Sequence, residues 1–328
     1  LLRACLRRYT HNTIFWIAIV ASLGIAVSIA FGARKTFFDD AMVLAQMIVN
    51  AIFISWVVGK EFKEGIFRNK AIVGHSKGNI FLSELLSALG ISFVLYLLCA
   101  TIFVVVNSYE VPLLPNDLIV KIFIDYVLLN MCLSAIFVTI SCLFTQQALI
   151  AIVNIALVLL MWIGSQRFYA ELSQPQYFEQ FETVNTEWID ENGNIRYREE
   201  KIEGSEYLVD NPTYVGGVKR VVYDTIYKLS PYGHIIDFYH FNMDWHGYDY
   251  FINNPTEGMT GEEMWELVIG DNEITDETLK KFDMNLIYSC VLLFAVSGFG
   301  YIVFRKKEFT KGRKYVKIGD KQTKRTFS

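Results

Sequence analysis

Two stretches hold side chains of types that do chemistry. The first is HIIDFYHFNMDWH (234–246), where His234, Asp237, His240, Asp244 and His246 are all possible metal ligands. His234 and His240 are six residues apart, a spacing that no regular helix or strand turns into neighbouring ligands. The residues between them are largely aromatic, so aromatic packing with surface histidines is the reading and no metal is expected. The second stretch is GKEFKEGIFRNKAIVGHSKGN (59–79), with five Lys or Arg and two Glu directly after eighteen uncharged residues. Its GHSKGN segment (74–79) lacks the G-x-x-x-x-G-K-[ST] spacing that cradles phosphates. H-E-x-x-H, C-x-x-C and G-x-S-x-G are missing as well. No catalytic residue is expected, and no cofactor on this chain.

Polar side chains inside apolar runs form a third set. Gln46 and Asn50 share one helical face, and Asn130 and Asn154 stand in later runs. They suit hydrogen bonds between membrane helices, worth about 0.6–2 kcal/mol each, or the lining of a polar substrate path. Lys121 and Asp125 are four apart and can pair on a helix near the membrane surface.

The elements that position these groups follow from hydropathy. Uncharged runs occur at Ile14–Phe31, Ala41–Gly59, Leu85–Asn107, Tyr126–Gln166 and Leu286–Phe304. A hydrocarbon core of ~30 Å needs about 20 apolar helical residues, so four runs give one span each. Tyr126–Gln166 is long enough for two, with its turn at Thr145-Gln146-Gln147. Six spans result, and the first is too long, with too many spans after it, to be a cleaved signal peptide. The sequence does not begin with Met, so residues are expected to precede Leu1.

Charge sets the orientation. Residues 167–283 carry 24 acids and 9 bases, a net of −15, while the remainder has 10 acids and 21 bases, a net of +11. With the N-terminus inside, Arg3, Arg7 and Arg8, the bases of 60–78 and the basic tail all fall inside, and the short outer loops keep only Arg34 and Lys35, with Lys121 near the head of the fourth span. The acidic segment then lies outside as a solvated surface. All five cysteines lie in or beside spans, so no disulfide is expected in that segment.

The expected fold is an all-α polytopic membrane protein of six transmembrane helices, with a mixed α+β extracellular domain inserted between spans five and six. Its parts are an interfacial helix at 1–12 with arginines toward lipid phosphates, spans one to five within 13–166, and a cytoplasmic helix at 60–78. The acidic domain at 167–283, the sixth span at 284–304 and a basic tail at 305–328 complete it. Within the acidic segment, alternation around Asn192-Gly193 predicts a hairpin. NPTYVGGVKRVVYDTIYKLSP (211–231) predicts a helix from about Val215 to Leu229, stopped by Pro231. TGEEMWELVIG and TDETLKKFDMNL open like helices, and the second runs into the last span. Ala18, Ser22, Ala26 and Ala30 form a small-residue stripe that invites close packing of another helix.

EFKEGIFRNKAIVGHSKGNIFLSELL resembles the segment after the second span in type-two permeases of ATP-binding-cassette (ABC) exporters. The matching elements are Glu61, Gly65, Arg68 to Lys70, Gly74 and Ser76-Lys77; Ile66 stands where Thr is usual and Lys77 where Arg is usual. NPTYVGGVKRVVYDTIYKLSP also looks like the outer segment of some long Firmicute-type members. The resemblance implies a bacterial cell-membrane permease with both termini cytoplasmic, working as a homodimer with two copies of a cytoplasmic ATPase. ATP and Mg would bind that partner. Glu61, Phe62, Gly65, Ile66, Phe67, Arg68, Lys70 and Lys77 would form the coupling helix. In that reading Glu61 orients the helix, Arg68, Lys70 and Lys77 supply charge, and Ile66, Phe67 and Ile72 make the apolar contacts. Gln46, Asn50, Asn130 and Asn154 would line the substrate path. Amphipathic or hydrophobic peptide is the first expectation for cargo, with lipid or a small drug as the alternative. A membrane-anchored receptor with an outer sensing domain is the alternative from another class. Membrane lipid is a partner throughout, and nucleic acid is not expected.

Overall fold

The computed structural model describes residues 1–31, 40–106, 116–180, 182–189, 195–202, 205, 207–245 and 276–307. Its described helices are α1 (Leu2–Thr10), α2 (Thr13–Ala30), α3 (Asp40–Lys63), α4 (Ile66–Ile72), α5 (Lys77–Val106), α6 (Asn116–Leu143), α7 (Gln147–Leu172), α8 (Gly217–Leu229), α9 (Pro231–Trp245) and α10 (Asp276–Lys306). Four short strands follow α7: β1 (Tyr177–Gln180), β2 (Thr183–Ile189), β3 (Ile195–Lys201) and β4 (Tyr207–Asp210).

Among the described residues, helices α3, α5, α6, α7 and α10 are each long and apolar enough to cross a membrane. A sixth crossing exists only if α1 and α2, which meet at a 65° bend, count as one span. The chain is therefore a multi-pass membrane protein with five clear spans among the described residues, where the uncharged runs predicted six. The bend follows from local chemistry. The Asn12 side chain accepts the Ile14 N–H at 3.2 Å, which starts α2 afresh after α1 has ended at Thr10.

The chain divides into two compact units, residues 1–160 with 237–328, and Met161–Ile236. The first unit is the helix bundle. Ala18, Ser22 and Ala26 are buried, and the Cys99 thiol donates to the Ser22 carbonyl at 3.2 Å, so the small stripe of α2 faces α5 of its own chain. The Ala30 side chain lies outside the described residues. Gly300 serves the same close approach between α10 and α6: a Cβ there would stand 2.3 Å from Thr139 Oγ1 and 2.7 Å from the Phe81 ring. Gly300→Ala should cost about 1–3 kcal/mol by overpacking, seen as a lowered melting temperature in detergent.

Polar groups knit the same bundle. Asn50 Nδ2 donates to Ser134 Oγ at 2.8 Å and to Asn130 Oδ1 at 3.3 Å, while its Oδ1 accepts from Ser92 at 2.8 Å. Asn154 Nδ2 donates to Ser55 at 2.8 Å and Ser141 at 3.4 Å. Gln46 accepts the Cys99 thiol at 3.2 Å. All four amide residues are buried and make hydrogen bonds between helices, the first of the two roles open to them. Lys121 pairs across helices with Asp283 at 2.7 Å, and Asp125 accepts the Ser289 hydroxyl at 2.6 Å. Phe238 stacks between Tyr126 and Phe282, at 5.3 and 5.0 Å, and Asp237 pairs with Lys281 at 2.9 Å. Residues 237–241 thus pack with the bundle, although sequence pattern grouped them with the acidic segment.

In the second unit, β2 and β3 pair antiparallel with Ile189 opposite Ile195. The intervening turn with Asn192-Gly193 lies outside the described residues. β1 and β4 form a second antiparallel pair, Tyr177 opposite Asp210. The helix of 211–231 begins at Gly217, two residues later than predicted, where Gly216 is still extended. Pro231 then opens α9, since its missing N–H and fixed φ suit a first helical position. TDETLKKFDMNL does continue into α10 as one helix of 31 residues. TGEEMWELVIG and the tail from Glu308 onward lie outside the described residues.

Candidate functional site

The connector between α3 and α5 is a short helix held between two glycines. Gly65 (φ 70°) and Gly74 (φ 99°) take left-handed conformations that other residues rarely adopt, and they end α3 and α4 respectively. Ser76 accepts the Asn79 N–H at 3.2 Å and so starts α5. Reversals at both ends turn α4 back against its neighbours.

Its inner side closes on a buried network of four charges. Lys70 Nζ donates to Glu61 at 2.8 Å and also to Glu84. Arg8 reaches the same carboxylates, at 3.2 Å from Glu61 and 3.8 Å from Glu84. The Cys5 thiol donates to Glu84 at 3.1 Å, and Tyr9 is buried alongside. Glu84 is 0% exposed and Glu61 3%. Two buried carboxylates are thus balanced by two cations, which is the condition for keeping such groups out of water. Burial works against the Lys70 ammonium, but Glu84 and then Glu61 outweigh it and hold the group above its ordinary value. Arg8 is the member most open to water, through a cleft of about 230 Å³ shared with Lys60 and Glu64. The network joins α1, α3, α4 and α5, four elements that are separate in sequence.

Beside the ions lies an aromatic block. Phe67 is buried, with its ring centroid 4.3 Å from Phe62 and 5.7 Å from Phe304; Phe304 in turn lies 5.6 Å from Phe81. Lys70 stands over the Phe67 ring at 5.0 Å. Lys307 sits 4.1 Å over Phe62 and donates at 2.5 Å to the Cys142 carbonyl, at the end of α6. Burial lowers its affinity for the proton. Lys77 donates to the Lys307 carbonyl at 2.7 Å. One end of the bundle is thereby clasped by α1, α4 and the end of α10.

This geometry divides the coupling residues inferred from sequence. Glu61, Phe62, Phe67 and Lys70 face inward, and Lys77 is engaged with the end of α10. Phe67 and Lys70 make their contacts within the chain, because a helix of seven residues between two spans must bury one side against them. Arg68 is exposed, and Ile66 is half-buried. Ile72 (70%) and Val73 (77%) are the large apolar side chains this connector leaves open to water. Glu84 and Arg8 were not singled out from sequence. Glu84 carried a signal, since it is the sole acid between Glu64 and Glu110 and lies two turns into an apolar helix. Arg8 carried none beyond its charge, and the structure pairs it with Glu61 where lipid phosphate was expected.

The described histidines of the 234–246 stretch have partners of their own. His234 Nε2 is 2.7 Å from the Lys228 carbonyl, and His240 sits edge-on to Tyr239. His246 lies outside the described residues. Among the described residues no three His, Cys, Asp or Glu side chains are placed to hold a metal ion.

No family model matches the chain, and no curated protein or solved structure matches it either.

Proposed function

We propose that the chain is the membrane-spanning permease subunit of an ABC exporter in a bacterial cell membrane. In this reading α4 lies on the cytoplasmic side, both termini are cytoplasmic, and two copies of the chain work with two copies of a separate ATPase that binds ATP and Mg. The observation that supports it is the two-sidedness of α4. Its inner side is fixed to three other helices by Lys70 and Phe67, and its outer side offers Arg68, Ile72 and Val73. A helix that only anchored a loop by positive charge needs neither feature. A lever needs both, because force applied by a partner must be received on one side and passed on from the other. Nucleotide binding to the partner shifts the inward- and outward-open states only through contacts that differ between them, and α4 is where such contacts can be made.

Amphipathic or hydrophobic peptide is the proposed cargo. Its support is the net charge of −15 on residues 167–283, which favours cationic amphipaths by simple attraction. Purifying the tagged chain from native membranes and identifying its stoichiometric partner tests the assignment. An ATP-hydrolysing subunit is the expected result, and a signalling protein would favour a receptor instead.

The outer side of α4 gives a sharper prediction. Ile72→Asp combined with Val73→Asp should reduce recovery of the ATPase about tenfold or more, equal to about 1.4 kcal/mol of lost association. Both positions are exposed, so the melting temperature of the chain alone should hardly move. Retention of the partner at wild-type levels would remove α4 from the contact.

A further inference from the structure

Helix α8, in the second compact unit, is amphipathic with its apolar side turned outward. One side lies along the last two turns of α7. Tyr223 meets Phe168 with ring centroids 4.9 Å apart, Tyr227 meets Tyr169 at 6.3 Å, and Arg220 donates to the Leu172 carbonyl at 2.9 Å. Lys219 stands 3.9 Å from Glu171, and Ser230, just past the helix, shares a 2.8 Å hydrogen bond with Ser165. Positions fall along α8 as they rise along α7, so the two run antiparallel.

The opposite side carries Val218, Val221, Val222, Ile226 and Leu229, spaced i, i+3, i+4, i+8 and i+11, and all five are exposed. Val218 is 81% exposed. Thr225 stands among them, but its hydroxyl donates to the Val221 carbonyl at 2.8 Å and so is satisfied within the helix. Asp224 and Lys228 flank the stripe and pair with each other at 2.6 Å. No charge interrupts it.

Position along α7 indicates what covers this stripe. Residues 147–166 are uncharged, and these twenty helical residues match a hydrocarbon core of ~30 Å. Arg167 and Glu171 then mark the polar boundary. Ser165 lies just inside that boundary and holds Ser230 at its own level, so Leu229 begins the stripe where acyl chains end. The contacts of α8 rise from Ser165 to Leu172, about 10 Å at 1.5 Å per residue, across the interfacial zone. Tyr169, Tyr223, Tyr227, Lys219 and Arg220 cluster at the same level, as interfacial aromatic and basic residues do. The stripe itself holds only aliphatic side chains and Thr225. It lacks the Trp, Tyr and Arg anchors that dominate protein interfaces.

We infer that α8 is a membrane-interface element whose stripe enters lipid at its Leu229 end, with Leu229, Ile226 and Val222 seated between the acyl-chain boundary and the headgroups. This rests on the multi-pass membrane character of the chain and is independent of the exporter assignment. Nitroxide labels placed by Val222→Cys and Leu229→Cys, with Asp224→Cys as the flanking control, test it. The full chain, carrying Cys290→Ser, would be reconstituted in phosphatidylcholine–phosphatidylglycerol vesicles, and label collisions with oxygen and with a water-soluble nickel chelate measured. The expected result is an oxygen-to-nickel ratio several-fold higher at 222 and 229 than at 224. Nickel accessibility at 222 and 229 equal to that at 224 would show a stripe in water and overturn the inference. Exclusion of both reagents, with dipolar broadening between labels, would show a second copy covering it and would overturn it equally.

Discussion

Replacing Lys70 with Met is expected to destabilise the chain by about 3–5 kcal/mol, the cost of leaving a buried charge without its partner. Met fills nearly the same volume as the lysine stem, so packing around Phe67 changes little and charge is isolated as the cause. Glu61 and Glu84 would then face Arg8 alone, and Arg8 lies 3.8 Å from Glu84. The number of buried charges also predicts the repair. Glu84→Gln in the Lys70→Met background restores one carboxylate to one cation and should recover more than half of the loss. Thermal unfolding of the purified chain in detergent is the measurement. Lys70 is held above its ordinary value of about 10.4, so its contribution is fully present below that pH and lost only as pH rises through the raised value. If the double variant proved weaker than Lys70→Met alone, the two carboxylates would not be competing for one cation.

Phe67→Ala is expected to cost a further class of stability, about 3–5 kcal/mol as for other buried phenylalanines. The ring is 1% exposed and is packed by Phe62 and Phe304, with Lys70 above it. A cavity there loosens α4 from α3 and α10 at once. The effect appears in the isolated chain, whereas the Ile72/Val73 pair acts only on partner recovery. A normal melting temperature for Phe67→Ala would mean that the aromatic block does not hold α4 in place.

The spans were legible in the sequence because uncharged runs of about twenty residues have few other uses. The first run is covered almost entirely by α2, and the break at Asn12 falls where the expected interfacial helix at 1–12 gives way to it. Gly65 and Gly74 stood out as the glycines of the pattern this segment resembles, and both are left-handed. Which side of α4 turns inward was not legible, because its seven residues make barely two turns and carry apolar groups all round. Tertiary partners decided it. Glu84 draws Lys70 in, Phe304 draws Phe67 in, and Ile72 and Val73 are left outside. Gln46, Asn50, Asn130 and Asn154 were found as polar residues in spans, but Ser92, Ser134, Ser55 and Ser141, which occupy their hydrogen bonds, carry no distinguishing pattern in an apolar run.

The central claim is that the outer side of α4 is seated on an ATPase. A photo-crosslinking amino acid at Val73, exposed at 77% and outside the buried network, tests it most directly. Irradiation of native membranes followed by purification of the chain should yield one dominant adduct, with a protein that binds and hydrolyses ATP. Adducts with lipid alone, or with a second copy of the chain alone, would contradict the claim.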